Sequence, residues 1–280
     1  MQRINRSKLP AAVLCAAACF AGSQGAAAAE VNMYDGNWHY DLAIYAWLPG
    51  ISGDVNVNVP NLPGGGGSGS ASVAPSSYID SLQFAAMIAG QARKGDFALF
   101  SDLDYVDFAD LKTRVRNVSL PGGRVTLPLN EDANFGLKAL VWTAVGSYTV
   151  ARSNAGTLDL AAGVRYLGMR TSLDWNYSSP NGVLGRSGDA SADINLWDGI
   201  VGAYGNIALG DSNWYIPYYA DIGAGTHSNW SSMAWAGIGY RFDWGNVLLV
   251  YKNIYYDQGS GKPLQDLNLG GGALAVTFRW

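Results

Sequence analysis

The chain has 280 residues and is 49% hydrophobic but only 14% charged, with 36 glycines and 10 tryptophans; ordinary soluble domains carry ~25% charged residues. No apolar run approaches the ~20 residues of a membrane-crossing helix, which excludes a bundle of transmembrane helices. A net charge of −4 without a basic cluster gives no electrostatic footprint for nucleic acid. What remains is a β protein whose residues alternate one by one between two environments.

The first 29 residues read as an export signal. Arg3, Arg6 and Lys8 form a basic start, Leu9 to Gly22 an apolar stretch too short to span a bilayer, and Ala27-Ala28-Ala29 a small-residue cleavage site. Cutting there removes three basic residues and takes the net charge from −4 to −7. It also removes Cys15 and Cys19, neither of which has the leucine three residues upstream that a lipidation site needs. The remaining residues 30–280 read as a single domain without thiol chemistry.

Period-two alternation dominates after residue 37, in segments of the ~9–11 residues that a tilted strand needs to cross a hydrocarbon layer. Trp38, Tyr40, Leu42 and Ile44 alternate with His39, Asp41, Ala43 and Tyr45, an apolar outer face against a polar inner one. Leu82 to Gln91 follows, then a turn at Arg93-Lys94-Gly95-Asp96, then Phe97, Leu99, Leu103 and Tyr105 opposite Ala98, Phe100, Asp102 and Asp104. A fourth segment runs from Phe135 to Val150 with Lys138 on its polar face, and a fifth sets Leu158, Leu160, Ala162, Val164 and Tyr166 against Asp159 and Arg165. Leu196 to Leu209 carries Asp198, Tyr204 and Asn206. Trp214 to Ile222 carries Asp221. Ala234 to Phe242 carries Arg241, and Val247 to Tyr256 leads to a tenth segment at the C-terminus. The expected fold is all-β, an antiparallel up-and-down transmembrane barrel of about ten strands, with eight to twelve open.

Val55, Val57 and Val59 are open to a second reading, as an extension of the first strand past Pro49-Gly50, and Val115 to Leu129 as a protruding hairpin. Short turns alternate with long connections at Pro60 to Ser77, Ala109 to Asp132 and Ser178 to Ala192. In barrels the short turns face the periplasm and the long loops the outside. The tract from Pro63 to Ser72 is glycine-rich and reads as a mobile loop.

The last segment alternates Leu274, Val276, Phe278 and Trp280 with Ala273, Ala275, Thr277 and Arg279. It resembles the C-terminal strand of Gram-negative outer-membrane β-barrels, which ends in an aromatic residue. Gly237-Ile238-Gly239-Tyr240-Arg241-Phe242 and Tyr45-Ala46-Trp47-Leu48-Pro49-Gly50 also look like segments of small porin-like or opacity-type barrels. The resemblance implies residence in the cell outer membrane after passage through the periplasm. It further implies delivery by periplasmic chaperones and recognition of Phe278 and Trp280 by the barrel-assembly machinery. Here Trp stands where Phe is commonest.

Catalytic signals are sparse. No phosphate-binding loop, zinc-protease or calcium-loop motif occurs, and with His39 and His227 as the only histidines no metal or other cofactor is expected. Asp102 and Asp104 share a strand face ~7 Å apart, a spacing that suits a carboxylate pair. They resemble half of the site of outer-membrane proteases, whose Asp/His half has no counterpart around His227. His227-Ser228 is similar to the His/Ser groups of outer-membrane phospholipases and lipid A deacylases, but those lie two apart on one face and these are adjacent.

The polar face as a whole comprises Asp41, Asp102, Asp104, Lys138, Asp159, Arg165, Asp198, Asp221, Arg241, Lys252 and Arg279. In a barrel this small such groups line and fill the lumen, whereas open aqueous channels need roughly 16–18 strands. The tryptophans read as interfacial girdles. The expectation is a non-catalytic barrel, either a narrow channel for small solutes or a structural protein whose loops meet solutes, lipopolysaccharide or partners. The alternative is a barrel-rim hydrolase using Asp102, Asp104 and His227.

Overall fold

A computed structural model describes residues 33–58, 66–73, 75–78, 82–111, 134–178, 185–259 and 265–280. The export signal at 1–29 and the stretch Val115 to Leu129 lie outside the described residues. The elements are β1 (Trp38–Asn58), β2 (Gly66–Val73), one helical turn α1 (Pro75–Tyr78), β3 (Leu82–Lys94), β4 (Phe97–Leu111), β5 (Asn134–Ser153) and β6 (Gly156–Ser178). They continue with β7 (Gly185–Ala208), β8 (Trp214–Gly225), β9 (Trp230–Phe242), β10 (Gly245–Asp257) and β11 (Asp266–Arg279). Strands β3 to β11 pair in sequence, and β1 pairs with both β3 and β11 to close a ten-stranded antiparallel barrel. The seam runs from Asp41 opposite Arg279 to Ser52 opposite Asn268.

β2 stands outside the ring. It pairs with the far end of β1, from Ile51 opposite Val73 to Asn58 opposite Gly66, so β1 runs straight through Pro49-Gly50. Residues 66–73 of the glycine-rich tract are thus a strand rather than a loop. The edge of β1 pairs with β3 only as far as Ile44, and beyond it the Trp47 N–H donates to Met87 Sδ at 3.0 Å.

Four short turns, β3–β4, β5–β6, β7–β8 and β9–β10, lie at the end of the barrel where Tyr40 and Trp280 meet. In the two-residue β3–β4 turn Gly95 has φ +58°, the left-handed conformation that such hairpins require. At the other end the connections are longer, except the four-residue β8–β9 link, and the rim is uneven. β6 and β7 stay paired out to Ser178 and Gly185, whereas β8 leaves β7 at Asp198.

Alternation sorts the side chains. On β1, His39 and Trp47 are buried while Trp38, Tyr40, Ile44 and Leu48 are exposed; on β4, Asp102 and Asp104 are buried while Phe97 and Leu99 are exposed. The barrel is therefore apolar outside and filled inside. Toward the long-loop end the interior is a contiguous packing of Trp47, Met87, Leu167, Leu196, Met233 and Ile254.

The outer wall has sharp limits. On β5 the outward residues run from Leu140 to Val150, preceded by Lys138, which pairs with Asp107 at 2.9 Å, and ended by a bulge between Thr149 and Ala151, beyond which Arg152 pairs with Asp96 at 3.3 Å. The ten steps at ~3.4 Å span ~34 Å along the strand, or ~26 Å at a tilt of ~40°. That matches the ~25 Å apolar band of outer-membrane barrels. Lys138 thus departs from its expected place in the lumen. Leu137 and Val141 beside it point into the packed interior, and Lys138 stands on the outer wall at the band's edge.

Candidate functional site: the charged interior

Three clusters of buried charge occupy the interior. In the first, Lys252 of β10 reaches across to β4, with Nζ 2.7 Å from Asp102 Oδ2 and 2.6 Å from Asp104 Oδ2. Tyr45 of β1 caps the pair: its hydroxyl accepts from Lys252 Nζ at 3.0 Å and lies in hydrogen-bonding range of both carboxylates, 2.7 Å from Asp104 Oδ1. The two carboxylates share one ammonium, so the phenolic O–H supplies the donor that the lysine cannot. Three strands converge here because a period of two turns Tyr45, Asp102, Asp104 and Lys252 alike to the inner face.

In the second, Arg165 of β6 pairs with Asp221 of β8, and its Nε donates to Thr143 Oγ1 at 3.3 Å. Asp221 Oδ1 also accepts the Met233 N–H at 3.2 Å. Beside it, Ser228 donates to Asp198, which ties the β8–β9 connection to β7. In the third, nearest the short turns, Arg93 of β3 holds Asp159 of β6 at 2.6 Å and donates to Thr149 Oγ1 at 2.7 Å, while Thr149 donates to Asp159. Between the clusters, Tyr204 accepts from Gln91 Nε2 at 2.8 Å and lies 2.6 Å from Ser147 Oγ.

The remaining expected residues lie apart from these clusters. Asp41 and Arg279 pair at 2.7 Å across the β1–β11 seam. Arg241 lies 4.5 Å from the Tyr215 ring centre. Gly239 makes that contact possible, since a Cβ there would sit 2.6 Å from Tyr215 Cζ. Phe278 and Trp280 end the closing strand, where the Trp280 and Tyr40 backbones exchange hydrogen bonds of 3.1 and 2.9 Å.

The catalytic candidates are not brought together. His227 is exposed and its Nδ1 lies 3.0 Å from Thr226 Oγ1. Among the described residues no hydrogen bond or ion pair joins it to Asp102 or Asp104. Those carboxylates are 4% and 5% exposed and engaged by Lys252 and Tyr45, which leaves no face on which to activate a water. Ser228 turns inward to Asp198, away from His227.

Arg93 and Thr143 did not stand out in the sequence, Tyr45 did so only as an inward residue of the first strand, and Ser228 only as the neighbour of His227. Arg93 was countable, because it follows Met87 and Gln91 on the inner face of β3. Its neighbours Lys94-Gly95-Asp96 made it look like part of the turn.

No protein-family model and no curated protein matches the chain. Solved structures do. The outer membrane protease OmpT from Escherichia coli superposes with a TM-score of 0.51 at 9% identity, over 88% of this chain and 97% of that one. The translocator domain of the autotransporter NalP from Neisseria meningitidis gives 0.38 at 16% identity, over 88% and 91%. A FadL homologue from Pseudomonas aeruginosa gives 0.24 at 12%, over 88% and 90%. At 9% identity the likeness to OmpT concerns the path of the backbone alone, and that path is the fold of an outer-membrane β-barrel.

Proposed function

We propose that this chain is a non-catalytic protein of the outer membrane, exported after loss of residues 1–29, whose barrel is closed to ions. Its long-loop end meets solutes, lipopolysaccharide or protein partners outside the cell. One observation carries the reading: the charges that would line a water path are buried and engaged inside the barrel, most of them by one another and Asp198 by Ser228. Arg165 is 0% exposed, Asp159 1%, Asp198 2%, Lys252 3%, Asp102 4% and Asp221 5%. Each pairs with a residue on another strand or element, and the apolar packing around Met233 and Leu167 adds a dry layer. An ion crossing this interior would have to break buried pairs without water to replace them.

The test is conductance of the refolded residues 30–280 in a planar lipid bilayer, with folding verified separately. The expected trace is silent. Discrete, reproducible steps whose ion selectivity shifts in Asp102→Ala would overturn closure and establish the narrow channel instead.

A further inference from the structure

The outer wall carries a trough at the short-turn end. Its rim follows one row of the sheet, in which Trp38, Lys94, Phe97, Tyr148 and Leu160 lie side by side on successive strands. Phe97 and Tyr148 pack edge to face at 4.9 Å, and the Lys94 ammonium lies 5.7 Å from the Trp38 ring centre. Two residues further along each strand the next outward row runs Ala92, Leu99, Gly146 and Ala162, so the tall row stands over a floor that is low at Ala92, Gly146 and Ala162 and is crossed by Leu99. The cavity between them is about 460 Å³. Because barrel strands tilt, the trough climbs from Lys94 beside the Gly95 turn toward Leu160 within the apolar band.

We propose that this trough binds one anionic phospholipid of the inner leaflet, with an acyl chain along the floor and the phosphate on Lys94. The proposal rests on the outer-membrane reading. Its charge argument is that Lys94 stands at headgroup depth with no carboxylate within ion-pair distance among the described residues; nearby Asp96 is engaged by Arg152. Trp38 supplies the amphipathic ring favoured at that depth. A flexible chain suits a narrow climbing trough whose lining is mostly apolar, with Lys94 its one charged residue among the described ones.

The experiment is native mass spectrometry of the detergent-solubilised barrel with phosphatidylglycerol or phosphatidylcholine added. One phosphatidylglycerol should be retained with a preference of about fivefold, the worth of one lysine near an anionic headgroup. Lys94→Gln should abolish the preference and leave retention of both lipids. Gly146→Val should lower retention of both; a Cβ at Gly146 comes only within 3.8 Å of Leu99 Cδ2, so the variant fills the trough without disturbing the backbone. Equal retention in all three proteins overturns the site. A dimer that Gly146→Val dissociates overturns it too, by giving the trough to a second copy. Failure of the wild-type barrel to float with vesicles would instead sink the membrane reading, and this site with it.

Discussion

Lys252 on β10 and Asp102 on β4, 150 residues apart in the chain, meet across the interior at 2.7 Å. The same ammonium holds Asp104, so removing it strands two carboxylates in a site that is almost dry. Uncompensated buried charge typically costs about 3–5 kcal/mol. Lys252→Met should destabilise the refolded barrel by that amount in guanidinium titrations. Adding Asp102→Asn and Asp104→Asn should recover most of the loss, because the charge to be compensated disappears with the compensating one. A triple variant no more stable than Lys252→Met would mean that the cluster acts through packing and not through charge.

The outer wall makes the opposite demand. Val201 on β7 is 59% exposed and lies midway along the outward run between Trp197 and Ile207. In a bilayer an arginine at mid-depth on such a wall costs about 2–4 kcal/mol, falling toward zero at the interface. Val201→Arg should therefore destabilise the barrel in vesicles by that much, while Lys138→Leu at the band's edge should change stability by no more than about 0.5 kcal/mol. Equal effects at the two positions would displace the membrane band from where Lys138 puts its edge.

The sequence reveals the barrel because a hydrocarbon layer demands an apolar residue at every second position, and that demand is local. It likewise marks Asp102, Asp159, Arg165, Asp198 and Asp221 as inward, each beside at least one outward apolar residue. Which charge meets which is not local. Closure of the ring decides it, and nothing near Lys252 points to β4. The signal also fades where a strand leaves the bilayer. Residues 185–192 of β7 lack the apolar alternation of the other strands in their sequence, so they read as loop although their backbone pairs with β6. Lys138 misleads for a related reason. The inner face of β5 begins with Leu137, Ala139 and Val141, as apolar as its outer face, and turns polar only at Thr143, Ser147 and Thr149, so a lysine at the band's edge draws the polar reading to the wrong face.

Ahead of β1, Asp35 accepts hydrogen bonds from His39 Nε2 at 2.8 Å and from the Asn37 N–H and side-chain amide at 2.8 and 3.0 Å. The His39 bond first and the Asn37 bonds next hold its pKa down, from 3.8 to about 2. A carboxyl depressed in the folded state contributes stability that is present above 3.8 and lost as the pH falls through about 2. Carbon-detected titration of the Asp35 carboxyl should give a midpoint near 2, and Asp35→Ala should match wild type in hydrogen exchange of the Asn37 amide only at the acid end of that window. A midpoint at 3.8 would show that these bonds do not hold the turn in solution.

Trp280 has a structural task that is separable from recognition by any assembly machinery. Its backbone closes the seam with Tyr40 through two hydrogen bonds, and its ring stacks on Tyr40 at 6.1 Å beside the Asp41–Arg279 pair. Trp280→Ala keeps the backbone bonds and loses the stacking, worth about 0.5–1.5 kcal/mol. Deleting the residue also loses two hydrogen bonds at about 0.5–1.5 kcal/mol each, for a total of about 1.5–4.5 kcal/mol. Refolding from urea into detergent micelles, where no cellular factor is present, should therefore rank wild type above Trp280→Ala and Trp280→Ala above the deletion. If all three refold with equal stability, the terminal tryptophan serves recognition alone, and the seam is held by the pairs from Asp41 to Ser52 without it.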